Sequence, residues 1–284
     1  MSIARSCAPF AIACAVVIGV PIPPARAEEP EPAPERTSVG SPVVDPAVLE
    51  VQRCVRKNLP ERSAEQEIRL EKSDASGVTQ TLEARLYWKR AADGRSRVLV
   101  RIEGPADLRG SAFLAIEREG AEPNMFTYLP ELKTVRRVTT RTLSGSLFGT
   151  DFSYEDLLQL QGVDVLARVE RLPDESVDGR PAYVLVATPT AEAGSAYQKV
   201  VTRIDQETCV VHTIEFFSKA GEVAKEIRVD PAQVKPEKTH QVPREIVLYD
   251  REGGGETKLV VKKIALDVDL PDALFSQGAL AKGH

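Results

Sequence analysis

The sequence predicts a mainly β protein built on one large curled antiparallel sheet or barrel. About twelve segments are strand-like, and short turn signals such as Asp178-Gly179 and the glycines at 253–255 separate several of them. The alternation of strands and helices that is typical of a parallel sheet does not occur. The spacing therefore favours antiparallel neighbours joined by short turns, with few helices.

The clearest hairpin covers residues 81–103. The run TLEARLYWK alternates apolar and polar residues, RSRVLVRIE follows, and Asp93-Gly94 between them is a strong turn signal. The other predicted strands are SAFLAIE, MFTYL, KTVRRV, VLARVERL, AYVLVATP, YQKVVTRID, CVVHTIEFF, VAKEIRVD, REIVLYD and TKLVVKKIALDV.

Two short helices are predicted from their start signals. Asp45-Pro46 supplies an N-cap and a first-turn proline, and the following valines lie on one face as far as Asn58-Leu59-Pro60. In the segment GSLFGTDFSYEDLLQL, Ser153 and Asp156 have capping-box spacing, and Phe152 and Leu157 have the spacing of a hydrophobic staple.

The carboxylates of that segment raise a question of function. Glu155 and Asp156 fall in the first helical turn, where the helix dipole favours negative charge, so they need no catalytic explanation. Asp151 precedes the cap and is not covered by this account. It either caps a turn or pairs with the basic cluster, whose members are Arg136, Arg137 and Arg141. If the basic cluster does not pair with Asp151, it forms a solvent-exposed strand face.

Composition and the N-terminus restrict the class of protein. The formal net charge of −5 gives no support to nucleic-acid binding, and no basic stripe interleaved with aromatic residues occurs in the sequence. Residues 1–27 have the charged start, apolar run and A-x-A end of a signal peptide, which predicts cleavage after Ala27 and export to a bacterial periplasm. Ala13-Cys14 as a lipid-attachment site is the less favoured reading. Residues 28–44 are Pro- and acid-rich, which predicts a disordered leader, and residues 45–284 then form a single domain.

Two cysteines, Cys54 and Cys209, remain after cleavage. In an exported chain they predict one disulfide, and two separate buried thiols are the less favoured alternative. The three histidines have no ligand spacing to one another or to a cysteine, so no metal site is expected.

Several strands, such as RVLVRI and FLAI, are apolar on both faces. They line a cavity or belong to an ordinary two-layer core.

Five segments resemble one known family. YWKRAADGRSRVLVRIEGPADLRGSAFLAIER, YLPELKTVRRV, LFGTDFSYEDL, RIDQETCVV and LPDALFSQGAL are similar to the longer branch of the LolA-like outer-membrane lipoprotein-sorting proteins, over residues 54–280. The resemblance implies an incomplete antiparallel β-barrel of about 11–12 strands, with short lid helices around a hydrophobic cavity. It implies a monomeric periplasmic carrier of lipid or lipoprotein acyl chains, without a cofactor, between an inner-membrane lipid exporter and an outer-membrane acceptor. Since length and motifs differ from LolA itself, hopanoids, sterols and phospholipids remain open as cargo.

The resemblance also assigns residues to the cavity and its lid. The expected ligand-lining residues are Leu86, Trp88, Leu114, Ile116, Phe126, Leu147, Phe148, Phe152 and Leu157. The expected lid motif comprises Gly149, Thr150, Asp151, Ser153, Tyr154 and Asp156. In this interpretation the lid yields near Phe148 and Phe152, and no residue is catalytic.

Two alternatives are kept. One is an envelope scaffold with a dry core. The other is a hydrolase that uses Asp151 and Glu155 as a carboxylate pair. The second is less favoured because no G-x-S-x-G motif occurs and because capping already accounts for Glu155.

Overall fold

One antiparallel sheet of thirteen strands makes up most of the protein. A computed structural model describes residues 45–163 and 166–282. The helices are α1 (Pro46–Arg56), α2 (Tyr154–Leu160) and α3 (Gln277–Lys282). The strands are β1 (Ser63–Ser73), β2 (Thr79–Arg90), β3 (Ser96–Gly104), β4 (Ala112–Arg118), β5 (Ala121–Leu129), β6 (Thr134–Val138), β7 (Ala167–Val177), β8 (Arg180–Pro189), β9 (Tyr197–Asp205), β10 (Val211–Ser218), β11 (Val223–Arg228), β12 (Val234–Glu237), β13 (His240–Pro243), β14 (Glu245–Asp250) and β15 (Glu256–Leu266).

The sheet is open. Its order is β6-β5-β4-β3-β2-β1-β15-β14-β11-β10-β9-β8-β7, so β6 and β7 form the two edges, and β12 pairs with β13 in a separate hairpin. The chain segment that joins the two edges carries α2. The predicted fold class, an incomplete antiparallel barrel with short helices, is confirmed. The strand number is higher than predicted, because β1 and the small hairpin were missed.

Strand β1 holds the two halves of the sheet together. It pairs along its whole length with β2 on one side and with β15 on the other. Ile68 and Leu70 are buried on one face, whereas Glu67, Arg69 and Glu71 are only partly covered on the other. Because charged residues fill one whole face, the run SAEQEIRLEKS has a weak strand signal.

The two faces of the sheet carry separate apolar clusters. On the inner face, alternate residues of β2 and β3 pack with α2 in the larger cluster, which includes Trp88. On the outer face a smaller cluster includes Leu99, Leu114 and the C-terminal residues Phe275 and Leu280. Leu114, Ile116 and Phe126 all belong to this outer cluster. Their prediction as ligand-lining residues is therefore wrong. The alternation of apolar residues along these strands does not show which face of the sheet points to the cavity.

Helix α1 begins and is anchored as its sequence predicts. The Asp45 side chain accepts a hydrogen bond from the backbone N–H of Ala47, and Pro46 is the first helical residue. Near its C-terminal end, the predicted disulfide joins Cys54 to Cys209, with the two Cα atoms 5.2 Å apart. The disulfide prediction is confirmed.

The predicted signal peptide and leader, residues 1–44, lie outside the described residues. Within the described ranges, no helix has both the length and the apolar character that crossing a membrane requires.

Candidate functional site

An apolar cavity, which we call the chamber, lies against the inner face of the sheet. Its volume is about 180 Å³, and no lining residue in the described part of the chain carries a charge. The central strands, the C-terminal ends of α1 and α2, and the β12-β13 hairpin form its walls. The lining residues are Val55, Asn58, Leu59, Pro60, Ala64, Gln66, Leu86, Trp88, Gln159, Leu160, Gln161, Cys209, Val210, Val211, Ile214, Ile227, Val229, Gln241, Val242, Pro243, Ile246, Leu259, Val261, Ile264 and Leu266.

A second cavity of about 420 Å³, which we call the vestibule, adjoins the chamber. The two cavities share the lining residues Val55, Leu59, Gln159 and Val211. The charged residues among those that line the vestibule are Arg56, Arg90 and Glu117. A site with an apolar inner part and a charged outer part suits a molecule that is apolar at one end and polar at the other.

Helix α2 reaches the chamber with its C-terminal end. Its last two residues, Gln159 and Leu160, and its C-cap Gln161 line the chamber, and Gly162, whose φ is +61°, follows the cap. The N–H groups of Gly162 and Val163 donate to the carbonyls of Gln159 (3.3 Å) and Leu158 (3.1 Å), which is the Schellman arrangement. No side chain of residues 159–161 hydrogen-bonds to another described element, so apolar contact alone holds this end in place.

The N-terminal end of α2 is held by a buried polar cluster. The capping box forms as predicted, since the Ser153 N–H donates to the Asp156 carboxylate (2.7 Å) and the Asp156 N–H donates to the Ser153 hydroxyl (3.1 Å). Asp156 is fully buried, and its carboxylate also accepts from the Tyr197 hydroxyl (2.7 Å) and from the Lys225 ammonium group (2.8 Å). Burial and the nearby Asp156 charge raise the pKa of Tyr197.

Asp151 is fastened to the sheet by residues that the sequence did not indicate. Its carboxylate accepts from the Thr257 hydroxyl (2.7 Å) and lies 3.3 Å from the Lys72 ammonium nitrogen. A Cβ atom at Gly255 would lie 3.2 Å from this carboxylate, so Gly255 allows β15 to pass close by. Of the two alternatives left open for Asp151, the ion pair with the basic cluster is not formed among the described residues. The three arginines of that cluster are exposed.

The turn before Asp151 is tight, and its residues except Gly149 are buried. Phe148 and Gly149 have positive φ values of 52° and 84°, and the Thr150 N–H and hydroxyl both donate to the Leu147 carbonyl. Leu147, Phe148, Phe152 and Leu157 pack in the inner cluster but do not line the chamber or the vestibule. The structure therefore brings none of these four predicted ligand-lining residues to either cavity. That the lid yields near Phe148 and Phe152 stays a prediction.

Glu155 has partners of its own. It is fully buried and accepts from the Ser195 hydroxyl and from the Ala196 N–H (3.2 Å). Burial raises the pKa of Glu155, and the hydrogen bonds from Ser195 and Ala196 oppose that rise. Each carboxylate of the proposed hydrolase pair is thus bound by different elements, Asp151 by β1 and β15 and Glu155 by the segment before β9.

The C-terminal end of α1 is tied to two elements at the chamber. Besides the disulfide, the Asn58 side chain donates to the Thr208 carbonyl (2.7 Å) and accepts from the Gln241 N–H (2.9 Å). Asp205 organises the turn that carries Cys209. Although burial opposes it, hydrogen bonds from Arg180 and Thr208 hold the pKa of Asp205 at about 2.

Of the predicted ligand-lining residues, Leu86 and Trp88 lie in the chamber wall. Sequence reasoning missed the contributions of the strands after residue 210, such as Ile214, Ile246 and Val261. The alternating apolar residues of β10 and β15 were the signal that could have pointed to them. The lid residue Tyr154 packs against Phe113 with ring centres 4.9 Å apart.

The open antiparallel sheet with its short helices is a fold that this chain shares with several solved bacterial structures. A domain from Vibrio parahaemolyticus named for outer-membrane lipoprotein sorting is 23% identical, with a TM-score of 0.74, over 82% of this chain and 98% of that one. A LolA superfamily protein from Nitrosomonas europaea is 21% identical, with a TM-score of 0.65, over 82% and 98%. A DUF1329 family protein from Desulfovibrio piger is 22% identical, with a TM-score of 0.75, over 82% and 97%.

A family model matches a shorter part of the chain than these structures cover. The chain belongs to a family described as uncharacterized protein, whose model matches residues 94–282. No curated protein is significantly similar in sequence.

Proposed function

We propose that this protein is a periplasmic carrier that binds a lipid, or the acyl chains of a lipoprotein, and moves it between the inner and the outer membrane. The observation that carries the proposal is the uncharged chamber beneath α1 and α2, on the inner face of a LolA-like sheet. The names of the similar proteins from Vibrio and Nitrosomonas support the same function.

Apolar contact is sufficient to retain such a cargo. Each methylene group that leaves water for an apolar site contributes about 0.8 kcal/mol. An apolar protein cavity of roughly 150 Å³ accepts a benzene-sized molecule, so a chamber of about 180 Å³ holds part of an acyl chain. A whole chain requires the vestibule as well, or an outward movement of the weakly held C-terminal end of α2. A carrier must also release its cargo, and a movable helix end serves that need.

The two membrane partners belong to the same proposal. The chamber would carry its cargo between an inner-membrane exporter and an outer-membrane acceptor. The exported location rests on the signal-peptide pattern of residues 1–27. No step of this cycle needs a catalytic residue, because the cargo is bound and released without covalent change.

The direct test is to extract purified protein with organic solvent and to identify co-purifying lipid by mass spectrometry. A second test places a charge in the chamber. Ile246→Glu puts a carboxylate among chamber-lining residues and should reduce lipid loading at least tenfold, since an unpaired charge in an apolar site is costly.

The matched control is Val247→Glu. The neighbouring side chain lies on the opposite face of β14, in a different and polar pocket, so loading should be unchanged. Circular dichroism must show a folded sheet for both variants. Equal loading of the two folded variants, or a chamber that carries no lipid and takes up none, would contradict the carrier proposal.

A further inference from the structure

Trp88 in the chamber wall carries a hydrogen-bond donor that is left unpaired by the described part of the chain. Trp88 is 3% exposed, and its indole Nε1 has no hydrogen-bond partner among the described residues. A buried donor without a partner costs about 1–3 kcal/mol. An apolar chain alone would leave this cost in place, whereas an oxygen atom of a bound molecule would remove it.

Arg90 stands next to this indole. The two side chains project from the same face of β2, since they are two residues apart, and the Arg90 guanidinium carbon lies 5.3 Å from the centre of the Trp88 ring. Trp88 lines the chamber and Arg90 lines the vestibule, so the pair marks the boundary between the two cavities. The Arg90 guanidinium donates to the Gly94 carbonyl (3.2 Å) and forms no ion pair within the described ranges.

The vestibule as a whole favours negative charge. Arg56 also lines it and forms no ion pair with any residue that the structure describes. The carboxylate of Glu117 accepts a hydrogen bond from the Ser96 N–H (2.6 Å). Two guanidinium groups thus face one carboxylate that is already engaged by the backbone. Guanidinium groups bind carboxylate and phosphate oxygens with good geometry.

We infer that the cargo is an acidic amphiphile, with its apolar chain in the chamber and its anionic carboxylate or phosphate at Arg90 and Arg56. This rests on the proposed carrier function and narrows it. An oxygen at the head of the chain accepts the hydrogen bond from Trp88 Nε1. A pure hydrocarbon satisfies only the apolar part of this site, and a neutral sterol, whose hydroxyl can accept from Trp88, leaves Arg90 and Arg56 without an anion. Two sources share the required chemistry, a free fatty acid and an acidic phospholipid.

Trp88 itself reports on the experiment, because it is the only tryptophan in the chain. The probes are stearic acid brominated at mid-chain and its methyl ester, since bromine quenches nearby indole fluorescence. The acid should quench saturably, and the ester, which lacks the charge, should bind roughly tenfold more weakly. Brominated phosphatidylglycerol and phosphatidylcholine form a second pair. Quenching by phosphatidylglycerol in preference to phosphatidylcholine identifies a phospholipid as the source, and quenching by the acid alone identifies a fatty acid.

Two variants separate the two parts of the inference. Arg90→Met keeps a long apolar stem and should abolish the difference between acid and ester. Arg53→Met is the control, because Arg53 is exposed on α1 and lines neither cavity. Trp88→Phe keeps an aromatic ring and lacks the donor. Measured by displacement of a fluorescent fatty acid, it should bind acid and ester alike about threefold more weakly.

Equal affinity of the wild-type protein for acid and ester would overturn the inferred head-group site, while saturable quenching would still support the carrier. Absence of quenching by all four probes would overturn both. An Arg90→Met variant that keeps the full preference for the acid would also contradict the assignment.

Discussion

The two helices that cover the chamber are held in opposite ways. Helix α1 is tied at its chamber end by the Cys54–Cys209 disulfide and by both hydrogen bonds of the Asn58 side chain. Helix α2 is tied at its other end, through Asp156 and Asp151, and only apolar contacts hold its chamber end. The difference assigns α1 to a fixed wall and the end of α2 to the part that yields.

The largest expected effect comes from removing the bond that fixes α1. Replacing both cysteines with serine should lower the free energy of unfolding by about 4 kcal/mol, because the disulfide closes a loop of 155 residues. Urea unfolding of oxidised wild-type protein and of the variant measures this. A reducing agent should shift the wild type to the variant's midpoint and leave the variant unchanged. If the reducing agent has no effect on the wild type, no disulfide supports α1.

The next effect comes from the anchor of α2. Asp156→Asn should cost about 3 kcal/mol, because it leaves the Lys225 ammonium group without its buried carboxylate. Amide exchange should then quicken in α2 but not in α1. Lys262→Gln removes a similar ion pair at the surface, with Glu83 at 3.3 Å, and should cost under about 1 kcal/mol. Equal losses for both variants would mean that the buried cluster is not the anchor.

Lowering the pH should destabilise the turn that links Cys209 to α1. Because the pKa of Asp205 is depressed to about 2 in the folded state, its contribution is present above the unfolded value of 3.8 and is lost as pH falls through 2. The loss amounts to about 2 kcal/mol. Stability measured from pH 5 to pH 2 should show this fall in the wild type and much less of it in Asp205→Asn.

Glu207→Gln is the control for that titration. Glu207 also pairs with Arg180 (2.9 Å), but its side chain is 79% exposed. The variant should keep the wild-type acid profile. If Asp205→Asn falls with acid as steeply as the wild type, another carboxylate supports the turn at Cys209.

The smallest effect on stability is expected at Glu155, and its dependence on pH is opposite to that of Asp205. Since burial raises the pKa of this carboxyl in the folded state, the stability that it contributes is full below pH 4.5 and is lost as pH rises through the folded pKa. Glu155→Gln resembles the protonated form. Its melting temperature should match or slightly exceed that of the wild type at pH 7, and the difference should shrink toward pH 4.5. A variant that is much less stable at pH 7 would show that the charge itself is required.

Local rules explain what the sequence could predict. Asp45 and Ser153 start helices through contacts two and three residues away, so the caps and the hairpin at Asp93-Gly94 were accessible. The family resemblance, carried by the GTDFSYEDL segment, implied the open barrel. These features depend on near neighbours or on a recognised pattern.

What the sequence could not predict depends on distant neighbours. The partner of Asp151 is Thr257, 106 residues away, whereas the arginines that seemed suitable are close in sequence but face solvent. Leu114 lies in a strand that is apolar on both faces, so alternation could not choose between chamber and outer cluster. Strand β1 was missed because its neighbours β2 and β15, not its own composition, make it a central strand.

The most direct test of the fixed wall and the yielding helix end is hydrogen exchange of the whole protein, measured by mass spectrometry with and without bound fatty acid. We predict that peptides covering residues 157–163 exchange faster than those covering residues 49–56 in the free protein, and that the fatty acid slows exchange in the first set only. Exchange in α2 that is unchanged by the fatty acid, or protection confined to α1, would contradict this account.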